Sequence, residues 1–90
     1  MNKLTTKYKQ QLKGKAHKLK PIVFIGNNDL TDNVKKEVDR ALTDHELIKI
    51  RIQESDREIR QALFAEICGW VEGHPIQLIG GIGVIFRETI

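Results

Sequence analysis

Leu4, Tyr8, Leu12, Ala16 and Leu19 recur at spacings of four, four, four and three, which puts them on one stripe of a helix predicted from about Thr6 to Lys18. Pro21 ends any helix and holds Lys20 extended. The run Ile22-Val23-Phe24-Ile25 that follows is short, apolar and rich in β-forming residues, as a strand buried on both faces would be. Gly26-Asn27-Asn28-Asp29 is turn chemistry, and Thr31 followed by Asp32 has the form of an N-cap with an acid in the first helical turn. Val34, Val38, Ala41 and Leu42 mark the buried face of this second helix, which Thr43-Asp44-His45 loosens. In Leu47-Ile48-Lys49-Ile50-Arg51-Ile52 the period changes to two. The three isoleucines face one side of a strand, and Leu47, Lys49 and Arg51 face the other, so part of one sheet face is expected to be basic and open to solvent.

Ser55 and Glu58 stand at capping-box spacing, and Ile59, Ala62, Leu63, Ile67 and Trp70 or Val71 continue a third amphipathic helix that Gly73 and Pro75 stop. Ile76 to Ile79 and Gly83 to Arg87, joined by Gly80-Gly81-Ile82, form a closing hairpin. The order is αβαβαββ. Strands joined through helices become parallel neighbours and the last two strands must be antiparallel. The expected fold is therefore α+β, a mixed four-stranded sheet packed by three helices, in one domain covering residues 1–90. A chain of this length buries roughly 60 to 70% of its unfolded surface, enough for one core.

Charge adds what the apolar pattern does not show. The net charge of +3 divides into +7 over residues 1–20, which hold seven lysines and no acid, and −4 over the rest, where eight Lys/Arg meet twelve Asp/Glu. A segregated basic segment fits two roles, a solubilising helix surface and the footprint of a polyanion binder. The longest apolar run is far too short to span a membrane, and no apolar signal region follows the N-terminal lysines. The chain is expected to stay in the cytoplasm. Cys68, the single cysteine, has no disulfide partner within the chain and falls in an apolar helical pattern, as a buried inert thiol does.

Enzymatic chemistry lacks its parts. His17, His45 and His74 are scattered, without partners at zinc spacing. Ser55 has a capping role and no nucleophile-elbow sequence around it. Gly80-Gly81-Ile82-Gly83 lacks the lysine and hydroxyl of a phosphate-binding P-loop, and a dinucleotide fingerprint needs glycine where Phe86 stands. No metal, cofactor or small-molecule substrate is implied. The loop from Gly26 to Asp29 differs, because it joins a strand to a helix N-terminus, whose amides and dipole suit a phosphate. Asp29 and Asp32 oppose an anion there, so an ordinary strand-to-helix turn and a phosphate site both remain open.

The ordered blocks Leu19-Lys20-Pro21-Ile22-Val23-Phe24-Ile25-Gly26-Asn27-Asn28-Asp29-Leu30-Thr31, His45-Glu46-Leu47-Ile48-Lys49-Ile50, Asp56-Arg57-Glu58 and Gln77-Leu78-Ile79-Gly80 with Val84-Ile85-Phe86-Arg87 resemble the chloroplast RNA splicing and ribosome maturation (CRM) domain, in its single-domain bacterial YhbY-type branch. The resemblance covers essentially the whole chain. It implies an RNA-binding domain with a fold similar to the C-terminal domain of a bacterial translation initiation factor, bacterial members being associated with precursors of the large ribosomal subunit. It also implies a Gly-x-x-Gly loop after the first strand that works like the phosphate clamp of KH domains. Gly26, Asn27 and Asn28 match that loop by position, whereas its fourth place is Asp29, which lacks glycine's conformational freedom and adds a negative charge. The closing turn departs too, with Gly81 and Ile82 where relatives often carry Lys and Thr.

The expected RNA surface combines Lys7, Lys9, Lys13, Lys15, Lys18 and Lys20 with Gly26, Asn27 and Asn28. Lys49, Arg51, Arg57 and Arg87 are secondary candidates; Arg57 has Glu58 or Glu54 as alternative partners, and Arg87 could serve to blunt an edge strand. Tyr8, Phe24, Phe64, Trp70 and Phe86 fall in core patterns, Tyr8 being the one with a second reading, so no aromatic platform for single strands is expected. Structured RNA, ribosomal RNA or a pre-50S particle, is the implied partner of a monomer that has no catalysis of its own. A basic module docking on an acidic or ribosomal protein is the alternative; a membrane-surface role lacks a spare apolar helix face.

Overall fold

A computed structural model describes residues 4–26 and 30–88. The expected order is present: α1 (Thr6–Ala16), β1 (Pro21–Ile25), α2 (Asp32–His45), β2 (Leu47–Ile52), α3 (Arg57–Val71), β3 (His74–Ile79) and β4 (Ile82–Phe86). The four strands form one mixed sheet in the order β1-β2-β4-β3. β1 and β2 are parallel neighbours across the α2 crossover, β4 runs antiparallel to both β2 and β3, and the hairpin closes through Gly80 at φ +58°, where glycine carries no Cβ penalty.

Local chemistry sets the helix ends. Thr5 Oγ1 accepts from Tyr8 N at 3.0 Å and Thr31 Oγ1 from Val34 N at 3.2 Å, so a threonine caps both α1 and α2. The third helix departs from expectation. Its cap is Asp56, one residue on from Ser55; Asp56 Oδ1 accepts from Glu58 N at 2.9 Å and Ile59 N at 3.1 Å. Its buried stripe is also rotated. Phe64, Ile67, Cys68 and Val71 are buried, while Ile59 and Trp70 are 39% and 48% exposed. α1 is shorter than expected, ending at Ala16 instead of about Lys18.

The sheet has two unlike faces. Ile48, Ile50 and Ile52 of β2 join Val23, Ile25 and Ile85 beneath Val38 and Leu42 of α2 and the stripe of α3. At Gly83 a Cβ would stand 2.5 Å from the Phe64 ring, so only glycine lets α3 settle this closely on β4. On the opposite face α1 lies over β2, β3 and β4. There Leu12 and Ala16 pack with Ile76, Val84 and Phe86, with Leu4, Tyr8 and Leu47 at the margin. Tyr8 meets Phe86 edge-on, ring centroids 5.7 Å apart.

β1 corrects the expectation of a strand buried on both faces. Val23 and Ile25 are buried, whereas Ile22 is 46% and Phe24 58% exposed. β1 is an edge strand, and the helix on its outer face covers its neighbours.

Candidate nucleic-acid interface

The lysines of α1 flank its apolar stripe on both sides, where their aliphatic stems border the contact with the sheet and their ammonium groups stay in water. Lys7, Lys9, Lys15, Lys18 and Lys20 are exposed and Lys13 is half-buried. Among the described residues none of them forms a salt bridge; the ion pair found there is Arg87–Asp39. An acid-free segment leaves these ammonium groups without local neutralisation, and each keeps its attraction for an external anion.

The helix delivers this charge onto the basic side of the sheet. Lys13, Ala16 and His17 of α1 enclose, with Lys49 and Gln77, a cavity of about 60 Å³. Lys15 and Lys20 border a groove of about 400 Å³ shared with Leu19, Ile22, Leu47 and Lys49. The structure thus brings Lys49 of β2 to the α1 lysines. Arg51, the next residue on that face, is exposed and pairs in register with Phe24 of β1 and Ile82 of β4.

Gly26 follows β1 directly, at the sheet end where Gln53 N donates to Ile25 O at 2.8 Å. Among the described residues, a Cβ at Gly26 would meet nothing within 4 Å, so no contact there calls for glycine. Asn27, Asn28 and Asp29 are outside the described residues. The chain resumes at Leu30, and Thr31 and Asp32 begin α2.

The remaining arginines separate by what their guanidinium groups do. Arg87 is spent inside the fold. Its Nη1 donates to Asp39 Oδ1 at 2.6 Å and Val71 O at 2.9 Å, and its Nη2 to Asp39 O and Thr43 Oγ1, both at 2.9 Å. These bonds tie the end of the sheet to α2 and the last turn of α3, which removes Arg87 from the candidate surface. Nor does it blunt an edge, since β4 is an inner strand. Arg57 is exposed at the start of α3 and borders a groove with Arg60, Leu78 and Ile79. It lies at the hairpin end, apart from the α1 groove. Arg60 was not anticipated. It donates to Glu54 O at 2.8 Å and Ser55 O at 3.0 Å and pins the turn before α3.

Two aromatic residues assigned to the core are on the surface. Phe24 shares the α1 side of the sheet with Arg51. Trp70 lies on the opposite side of the molecule, with Lys35 Nζ 5.5 Å from its ring centroid, a cation–π arrangement. Cys68 is buried, and burial pushes its thiol up to about 12, so it stays protonated and a poor nucleophile. Among the described residues no cluster of three or more His, Cys, Asp or Glu could hold a metal ion, and no helix is long and apolar enough to cross a membrane.

These features define a small α+β domain with a lysine-covered helix on one sheet face, a class suited to holding a polyanion. The CRS1 / YhbY (CRM) domain model matches residues 4–87, and the chain belongs to that family. It is 44% identical over 89 residues to an RNA-binding protein of Haemophilus influenzae, covering 99% of this chain and 90% of that protein. It is 39% identical over 86 residues to a protein of Pseudomonas aeruginosa named a probable RNA-binding protein, covering 96% and 83%. The fold is similar to the solution structure of a hypothetical Staphylococcus aureus protein provisionally assigned to RNA binding, with a TM-score of 0.86, 31% identity and coverage of 98% and 92%.

Proposed function

We propose that this chain is an RNA-binding protein of the cytoplasm that acts on ribosomal RNA, or on a pre-50S particle, during large-subunit assembly. It binds as a monomer and has no catalysis of its own. The observation that carries this reading is the set of α1 lysines, without salt bridges among the described residues and adjoined on the sheet by Lys49 and, one position further on the same face, Arg51. Membership of the CRM family and the names of the relatives support RNA as the polyanion. Lys7, Lys9, Lys13, Lys15, Lys18 and Lys20 supply backbone contacts, Lys49 and Arg51 extend them, and Gly26 is a further phosphate contact.

Fluorescent ribosomal RNA fragments titrated at several salt concentrations test the reading. With about five phosphates neutralised, log affinity falls against log salt with a slope of roughly −3.5 to −4.5. The K9E/K13E/K18E variant binds much more weakly and with a shallower slope. Affinity indifferent to both salt and the triple variant overturns RNA binding. Crosslinking in cells tests the particle separately: RNA recovered only from sources other than immature large subunits overturns the assembly role and leaves RNA binding standing.

A further inference from the structure

We propose that the uncovered part of the sheet is a subsite for an unpaired nucleobase of the bound RNA, with the base stacked on Phe24 and the adjoining phosphates on Arg51 and Lys49. The inference rests on the RNA-binding reading above and names a part of the RNA that charge alone does not select.

α1 ends at Ala16 and leaves one row of this face without a helix over it. Across the four strands the row runs Phe24, Arg51, Ile82 and Ile79, each the register partner of the next. Its two ends are the most exposed large apolar side chains described, Phe24 at 58% and Ile79 at 67%. An edge-strand aromatic held this open gains little from folding, and its flat face is available to a ligand.

The chemistry around the ring selects the ligand. Arg51 neighbours Phe24, and Lys49 lies two residues back on the same face, about 6.6 Å along the strand. Among the described residues the Arg51 guanidinium makes no hydrogen bond, in contrast to those of Arg87 and Arg60, which donate to main-chain carbonyls. Glu54, the acid in the groove beside Arg51, accepts from Asp56 N at 3.1 Å through Oε2 and is engaged in its own turn. A ring with one cation across the strands and a second along the neighbouring strand fits a group that is flat and apolar at one end and anionic at the other, as a nucleotide is. Every base has a π-face, so such a platform tolerates any sequence but requires an unstacked base. A second copy of the chain fits poorly, because a two-fold contact through this row sets Arg51 and Lys49 against their own counterparts.

The test compares a ribosomal RNA hairpin carrying an unpaired loop with a fully paired duplex of equal length, using the parent, F24A, F24L and R51Q. Thermal unfolding first confirms that each variant is folded. F24A and F24L are both expected to lose roughly five- to hundred-fold in affinity for the looped RNA. Their duplex affinity and salt slope stay those of the parent, and F24W restores loop binding. R51Q is expected to make the salt slope shallower by about 0.7 to 0.9. A 2-aminopurine in the loop is quenched on binding the parent and less so on binding F24A.

If F24L binds the looped RNA as the parent does, the ring is not a stacking surface and the subsite is overturned. Equal affinity of F24A and the parent for both RNAs overturns the subsite and leaves RNA binding intact. A parent that binds neither RNA overturns both readings. Sedimentation showing a parent dimer that F24A dissociates, with RNA affinity unchanged, makes this row a self-association surface and overturns the proposal.

Discussion

The two faces of the sheet are made by the same four strands and do opposite work. Among the described residues, twelve buried side chains form one cluster toward α2 and α3 and five form another toward α1, so most of their apolar burial sits on the first face. β2 shows the division within one strand, where Ile48, Ile50 and Ile52 are buried while Lys49 is half-buried and Arg51 exposed. A single short helix covers part of the second face and brings its lysines with it. Apolar packing is thus concentrated on the face covered by two helices, and the proposed binding groups occupy the face that is only partly covered.

The sharpest way to break this division is to cut one core residue on each face. Ile50→Ala removes a fully buried side chain beneath α2 and α3 and is expected to cost about 2 to 5 kcal/mol in urea unfolding. The remaining folded molecules should bind RNA as the parent does. Leu12→Ala is expected to cost less, because the smaller cluster can collapse around the gap. It should nevertheless weaken RNA binding, since α1 carries the lysines and Leu12 holds it down. Equal loss of RNA affinity in both variants contradicts the separation of the faces.

Arg87 comes next in size. Its side chain is half-buried and closes main-chain carbonyls of α2 and α3, so Arg87→Ala is expected to cost about 1.5 to 3 kcal/mol. The lower end is favoured because the Asp39 side chain is 52% exposed and its ion pair is screened. RNA affinity and salt slope should not change. A shallower slope returns Arg87 to the binding surface.

The order of elements was legible because each carries its own period and punctuation, such as Pro21 at the start of β1 and Gly80-Gly81 in the hairpin. Phe24 was not. Four apolar residues in a row are compatible with burial on both faces, and only the strand order shows that β1 is an edge. The cap of α3 was missed by one residue because Ser55 and Asp56 are both competent and adjacent. The lysines stood out as an acid-free segment, but the use of Arg87 and the freedom of Arg51 depend on pairings that join distant positions, Arg87 with Asp39 and Arg51 with Phe24 and Ile82. Such partners leave no local mark.

Cys68 sharpens the picture of the covered face through pH. Burial raises its thiol from an ordinary value of 9.0 to about 12 in the folded state. A raised pKa contributes stability that is fully present below the unfolded value and is lost as pH rises toward the folded one. Between about pH 9 and 12 the parent should lose stability relative to Cys68→Ala, on the order of 1.4 kcal/mol per pH unit. Denaturant midpoints of the two proteins at stepped pH read this directly. A constant difference across that range means that the thiolate is tolerated in the folded core. A thiol reagent should likewise react with the parent only as it unfolds.

The smallest effect is expected at the far end of the open row. Ile79 is 67% exposed on the edge strand β3, so Ile79→Thr removes little buried area and keeps a β-branched side chain in the strand. Its unfolding free energy should stay within about 0.5 kcal/mol of the parent. The same isoleucine-to-threonine change at Ile50 puts a hydroxyl where no partner exists and should cost several times as much. A large loss at Ile79 means that something in the chain covers this row in solution, and the open face then belongs to the fold. A negligible loss leaves an exposed isoleucine on a sheet it does not stabilise, as expected of a surface kept for a ligand.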